Sequence, residues 1–255
     1  MKIATWNVNS LSVRLPQVLG WLQAQQPDLL ALQETKLTDD KFPQAELEAA
    51  GYASAFLGQR TYNGVALLSR TPLGDIQRNI PGFDDDQARL VAATAGGVRI
   101  VDAYFPNGQA PDSDKFAYKM RWLDALRTWL AAELERHPRL ILLGDFNIAP
   151  EDRDVYDPVA LAGQIHCTPE ERAQFRRLLE IGLFDAFRAF DQPDKSWTWW
   201  DYRNLAFRRN RGLRIDHVLA SAAMRPALRS CTIDKEPRRA ERASDHAPVM
   251  ATFAD

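Results

Sequence analysis

The chain has 255 residues, 45% of them hydrophobic and 26% charged, a size and composition that suit one large α/β domain. Its 32 basic and 34 acidic residues leave a net charge of −2, which excludes long-range attraction of the whole molecule to nucleic acid or to an anionic membrane. Any polyanionic ligand must therefore be held by local cations or by a bound metal. Two cysteines, Cys167 and Cys231, are too few for a disulfide framework or a Cys-rich zinc site and read as free thiols of a reducing compartment. No apolar run approaches the ~20 residues that span a bilayer.

In chain order, the first element is Lys2–Val8, which reads as a strand rather than a secretion signal and makes a cytoplasmic location the expectation. A helix follows at Arg14–Gln25, then strands at Asp28–Gln33, Ala53–Leu57, Gly64–Ser69, Leu90–Ala95 and Val98–Tyr104. The long helix Lys115–Arg136 carries Phe116, Met120, Leu123, Leu126 and Leu130 at spacings of three and four, and ends at His137-Pro138. Strand Leu140–Gly144 comes next. Helix Pro169–Ile181 opens with Thr168 as N-cap and acids in its first turn. Strands Arg214–Ala220 and Val249–Phe253 complete the series. No composition shift or Pro/Ser-rich linker divides the chain, so residues 1–255 are expected to form a single domain. The strands are too many per helix for a doubly wound sheet, and two packed sheets flanked by helices fit better. The run 29–34 echoes 140–145, each an apolar strand ending in an acid, which hints at a duplicated half.

Oxygen-bearing side chains gather where the apolar strands stop. Asn7 follows the first strand and Glu34 the second; Asp145 and Asn147 follow Leu140–Gly144; Asp216 interrupts an apolar strand; Asp245 and His246 precede the last one. Strand ends converge on one rim of a sheet, and carboxylate and amide oxygens without cysteine are the preferred ligands of Mg²⁺, Mn²⁺ or Ca²⁺. Asp and Asn also start turns, so the cluster carries more weight than any single member. Trp197 to Arg214 forms a second feature, with five arginines, interleaved aromatics and one acid, Asp201. Such a segment suits phosphate contact with stacking on a base or sugar.

The segments around these residues are Thr-Trp-Asn-Val-Asn-Ser (5–10), Leu-Gln-Glu-Thr-Lys (32–36), Gly-Val-Ala-Leu-Leu-Ser (64–69), Tyr-Phe-Pro-Asn-Gly (104–108), Gly-Asp-Phe-Asn-Ile-Ala-Pro (144–150), Arg-Gly-Leu-Arg-Ile-Asp (211–216) and Ser-Asp-His-Ala-Pro (244–248). Together and in this order they resemble the exonuclease III family of DNA repair nucleases, within the endonuclease/exonuclease/phosphatase superfamily. The resemblance runs from residue 2 to about 253. It implies an α/β four-layer α/β/β/α sandwich, in which two mixed β-sheets pack face to face with helices outside. It implies Mg²⁺ as cofactor, with Mn²⁺ as a substitute, and metal-dependent hydrolysis of phosphodiesters in duplex DNA. The partner would be DNA with damaged, nicked or recessed 3′ ends, met by a monomer at the bacterial nucleoid.

The same resemblance gives each position a role. Glu34 matches the main metal carboxylate with Asn7 beside it, and Asp145, Asn147 and Asp245 complete the metal-proximal group. Asp145 also lies near the attacking water, Asn147 orients the phosphate and Tyr104 points at it. Asp216 and His246 match an acid–imidazole pair. Trp199, Leu213 and Ile215 match the walls of a sugar pocket, with Arg203, Asn210 and Arg211 on the same DNA-binding segment. Lys36, Arg60, Tyr62 and Asn63 match a second DNA-facing edge. One position departs from the pattern. Family members that cut at abasic sites carry Gly or Ser near His166, and an imidazole there would fill space that a flipped-out sugar needs. The expectation is therefore 3′-to-5′ exonuclease and 3′-end processing, with weak abasic-site endonuclease activity. The alternatives are a full abasic-site endonuclease, another phosphatase or phosphodiesterase of the superfamily, and a catalytically silent DNA-binding scaffold.

Overall fold

Runs of five or six residues buried on both faces form the centres of two sheets. The computed structural model describes residues 1–254, and among these twelve strands form two six-stranded sheets. The first runs β11 (Leu228–Ile233), β12 (Val249–Phe253), β1 (Lys2–Asn7), β2 (Leu29–Gln33), β4 (Val65–Ser69), β3 (Ala53–Leu57). The second runs β5 (Gly74–Arg78), β6 (Leu90–Ala95), β7 (Val98–Tyr104), β8 (Leu140–Asp145), β10 (Asp216–Ser221), β9 (Leu183–Asp185). Each sheet holds one parallel pair, β1–β2 and β7–β8, and all its other pairings are antiparallel. The order of directions across the two sheets is therefore the same, and β2 and β8, the strands of the sequence echo, occupy equivalent places.

The expected four layers are present. α1 (Leu11–Gln25) and α2 (Gln44–Ala49) cover one outer face, where Val18, Trp21, Leu22 and Leu47 pack on Ala4, Trp6, Leu30 and Leu32. α3 (Asp114–Arg136) and α4 (Pro169–Glu180) cover the other, where Trp122, Leu126, Trp129, Phe175 and Leu178 meet Val101, Leu140 and Leu142. The Ser113 hydroxyl caps α3 by accepting from the Phe116 N–H at 3.1 Å, and a reciprocal Thr168–Glu171 capping box starts α4. Between the sheets lies a third core built from Ile3, Leu29, Leu67, Val91, Ile100, Ile141, Val218 and Val249.

Because side chains alternate along a strand, the inward face of β1 reads Ile3, Thr5, Asn7, and that of β8 reads Ile141, Leu143, Asp145. The space between the sheets thus turns from apolar to polar towards one rim. Local differences from the sequence expectation are few. α1 begins at Leu11 rather than Arg14, and the helix α2 and the strands β5, β9 and β11 were not expected. Among the described residues no helix is long and apolar enough to cross a membrane.

Candidate active site

The two parallel pairs run towards the same rim, and β10 and β12 start there. Asn7 ends β1, Glu34 follows β2, Tyr104 ends β7, Asp145 ends β8 and Asp216 opens β10. Asp145 lies in register with Tyr104 on one side and Asp216 on the other. Asn7 bridges the sheets, its Nδ2 donating to Glu34 Oε1 at 2.8 Å and to Asp145 Oδ2 at 2.9 Å. Glu34 and Asn147 both take left-handed backbone conformations, with φ of 53° and 50°, which turns each side chain back over the rim. One potential ligand atom from each of Glu34, Asp145 and His246 lies within 4.8 Å of the others.

His246 Nδ1 is 2.9 Å from Asp216 Oδ2, and its Nε2 is 3.7 Å from Asp145 Oδ2. Burial works against the imidazolium, but Asp216 and then Asp145 outweigh it and raise the imidazole above its ordinary range. Nδ1–H donates to Asp216, so Nε2–H points into the site. Burial raises the Asp145 carboxyl, His246 opposes that rise and Asp216 adds to it. Burial, then Glu34 and Asp145, hold the Tyr104 hydroxyl well above the usual phenol range, so it remains a neutral donor. The Arg89 guanidinium lies 5.1 Å from the Tyr104 ring centroid.

Carboxylate oxygens of Glu34 and Asp145, with an amide beside them and no thiol, suit a hard divalent cation. The Asp216–His246 pair stands directly beside these oxygens. Asp245 stands slightly apart: its carboxylate accepts from Asn9 Nδ2 at 3.0 Å and from Trp199 Nε1 at 2.9 Å. Asn147 is anchored by its Nδ2, which donates to the Phe105 carbonyl at 3.0 Å, and its Oδ1 accepts from Asn107 at 3.2 Å.

The DNA-facing candidates divide into two groups. Leu213 and Ile215 are buried with Ala149, Val155 and Cys167, and half-buried Trp199 packs on them. His166 adjoins this group through Cys167, and its Nδ1 donates to the Asn147 carbonyl at 2.8 Å. Burial first, and Lys119 second, lower the His166 imidazole to about 4, so the ring is neutral with Nε2 as a free acceptor. Arg60, Tyr62, Arg203, Asn210 and Arg211 are exposed. Arg203 pairs with Asp201 at 2.7 Å, and Arg211 lies over the Tyr156 ring. Lys36 and Asn63 are turned inward. Lys36 Nζ sits 2.9 Å from Glu34 Oε2, and Asn63 donates to Gln59 at 2.8 Å.

A family model described as the Endonuclease/Exonuclease/phosphatase family matches residues 4–246. The chain belongs to that family. It is 34% identical to exodeoxyribonuclease III of Haemophilus influenzae, over 99% of this chain and all of that one. Among solved structures, the 3′-5′ exonuclease NExo of Neisseria meningitidis is 50% identical with a TM-score of 0.98, each chain covered in full. The same figures hold for a structure of the Neisseria 3′ phosphatase NExo bound to a product DNA hairpin. An AP endonuclease from Archaeoglobus fulgidus is 36% identical with a TM-score of 0.95, over 99% of both chains.

Against the fold of this family, three contributors to the site were missed in the sequence. Asn9 links Asp245 to Lys36, whose Nζ donates to Asn9 Oδ1 at 2.6 Å. Fully buried Lys119 pairs with Glu171 at 2.5 Å and donates to the Asn147 carbonyl at 2.8 Å. Arg89 lines a cavity of about 470 Å³ beside Tyr104, together with Tyr62, Asn107 and Lys115. Asn9 lies inside the first motif and was within reach of sequence reasoning; Lys119 looked like the solvated flank of an amphipathic helix.

Proposed function

We propose that this protein is a DNA hydrolase of the exonuclease III type that works mainly as a 3′-to-5′ exonuclease and 3′-end processor on damaged, nicked or recessed duplex ends. It acts as a monomer, in the cytoplasm at the nucleoid, with Mg²⁺ as cofactor and Mn²⁺ as a substitute. The observation that carries this reading is the convergence of Glu34, Asp145 and the Asp216–His246 pair on one rim, in a chain similar along its full length to enzymes that act on DNA 3′ ends.

Glu34, Asp145 and Asn7 would hold the metal, with Asp245 at the edge of the group. The bound ion supplies Lewis-acid stabilisation of the phosphate and its leaving oxygen. The protein's own groups do the rest. Asp216 favours the imidazolium of His246, which suits the ring to donate a proton rather than to accept one. Its Nε2–H donates to a non-bridging phosphate oxygen, where charge builds as water attacks. Asp145, raised towards neutrality by burial, is the carboxylate that takes the water's proton. The Tyr104 hydroxyl donates to the phosphate, and anchored Asn147 orients it. Trp199, Leu213 and Ile215 wall the sugar beside the cut.

Abasic-site incision is the second reading, favoured by the likeness to the Archaeoglobus AP endonuclease. The His166 ring beside that wall argues for it as the weaker activity. The test is a set of duplexes bearing a 3′-phosphate, a nick, a blunt end or an abasic site, each assayed with Mg²⁺ and with EDTA. Asp145→Asn should reduce turnover on every substrate at least about a thousandfold, some 4 kcal/mol of transition-state stabilisation, while leaving the DNA Kd within about threefold. Unchanged turnover would overturn the site assignment.

A further inference from the structure

The interior of the sandwich holds an acid that the reaction does not use. Asp102 lies on β7, two residues before Tyr104, and has no solvent exposure. Its side chain points between the sheets, as Ile100 and Tyr104 do. Oδ1 accepts from Gln33 Nε2 at 2.7 Å, and the other hydrogen of that amide goes to Thr5 Oγ1 at 2.9 Å. Two oxygens in this layer are buried without a partner, and they are Asp102 Oδ2 and Gln33 Oε1. Both belong to the same pair of side chains.

Among the described residues no basic side chain pairs with Asp102. The register partners of Asp102 are Val91 and Leu143, and β4 brings Val65 and Leu67. The titratable groups at the rim above it are Glu34, Tyr104, Asp145, Asp216, His246 and Lys36; His246 is engaged by Asp216 and Lys36 by Glu34, and neither is hydrogen-bonded to Asp102. Burial drives the Asp102 carboxyl well above its usual range, against smaller opposing pulls from Gln33 and the Ala66 N–H. An ionised carboxylate here would be a buried charge without a counterion. A proton on Oδ2 would remove the charge and turn that oxygen into a donor, and Gln33 Oε1, on the amide already bonded to Oδ1, is the unpaired acceptor of the same pair.

We propose that Asp102 is a positioning residue held as the neutral acid, donating from Oδ2 to Gln33 Oε1 while accepting from Gln33 Nε2, and that this two-bond pair fixes the turn carrying Glu34. Glu34 follows Gln33 directly and sits at φ 53°, a backbone that stays in place only if its neighbours are held. The inference rests on Glu34 being the metal-binding carboxylate.

Asn at this position retains the pairing, because its Nδ2 donates and its Oδ1 accepts as the protonated acid does. Leu abolishes it. Asp102→Leu should raise the Mg²⁺ concentration for half-maximal activity at least tenfold with the KM for DNA within twofold. Asp102→Asn should restore the Mg²⁺ requirement to within twofold of the original. A second measurement needs no activity and no Leu variant. A folded-state carboxyl held protonated contributes stability below the unfolded value, which is lost as pH rises towards the folded one. The unfolding constant of the native chain, divided by that of Asp102→Asn, should therefore climb by up to about tenfold per pH unit as pH rises above the unfolded carboxylate range. A flat ratio means an ionised Asp102 and overturns the proposal. So does an Asn variant as impaired in Mg²⁺ use as the Leu variant. Glu34→Gln tests the underlying reading separately: if it keeps full turnover, the metal assignment fails, whatever the unfolding ratio does.

Discussion

At His166 the backbone takes φ 72°, and this left-handed turn carries the imidazole back onto the Asn147 carbonyl. That carbonyl also accepts from Lys119, so it stays satisfied if the ring is removed. Glycine tolerates the backbone conformation better than histidine does. His166→Gly should therefore fold normally and open space beside Cys167, Leu213 and Ile215. We expect abasic-site incision to rise about tenfold, equivalent to about 1.4 kcal/mol in the barrier, with 3′-phosphate removal changed less than about threefold. Incision rates on matched abasic and 3′-phosphate duplexes check this, and no gain on the abasic duplex would remove His166 as the determinant. The residues legible in the sequence were those whose chemistry stands out at a strand end, such as Glu34, Asp145 and His246. Asp102 and Lys119 were not, because each is defined by a partner far along the chain: Gln33 is 69 residues from Asp102, and Glu171 is 52 from Lys119. A charged residue inside a strand or helix looks solvated until its partner is known.

Among elements, the parallel pair β7–β8 sets the spacing of the site, and Gly144 makes that pairing possible. Its φ is 142°, and a Cβ there would stand 2.0 Å from the Ala103 carbonyl oxygen. The obstacle is backbone, which cannot rotate away. Gly144→Ala should lower stability by about 3 kcal/mol or more, at or beyond the upper end of overpacking costs, and displace Asp145. Urea unfolding and turnover measured on the same sample should fall together; a stable variant with native turnover would contradict the strand spacing described above. Strand legibility follows from position in the sheet. The three unexpected strands β5, β9 and β11 are all edges. β5 is mostly exposed and bulged between Gly74 and Gln77, β9 has three residues, and β11 is bulged between Leu228 and Ser230. A bulge breaks the two-residue period, and an exposed edge has no apolar run to detect. Central strands buried on both faces carry the signal that the edges lack. The early start of α1 has another cause: Ser10 stands at its N-cap without a side-chain capping hydrogen bond, so the Leu11–Val13 turn carries no capping signal.

For the whole molecule, a net charge of −2 means that DNA binding has to be local. The exposed arginines 203, 208, 209 and 211 lie on one loop flanking Trp199 and Leu213. Replacing Arg208, Arg209 and Arg211 with Gln should reduce the slope of log Kd against log salt by roughly 2 to 3, since each phosphate contact contributes about 0.9. Binding titrations across a salt series give the slope; one equal to that of the native chain would place this loop off the backbone of the duplex. The matching direction pattern of the two sheets puts Asn7 with Glu34, and Tyr104 with Asp145, at equivalent corners. This accounts for the echo between 29–34 and 140–145 as a property of architecture. The same arrangement ties strands distant in sequence into one rim. Ser244 Oγ donates to the Asn7 carbonyl across a sequence separation of 237, and His246 stands beside it. Asn7 and Glu34 lie at the ends of the first two strands, whereas the imidazole and the β12 neighbour of β1 follow residue 244, so cutting the chain before Ser244 would remove both together and leave the β1 edge bare.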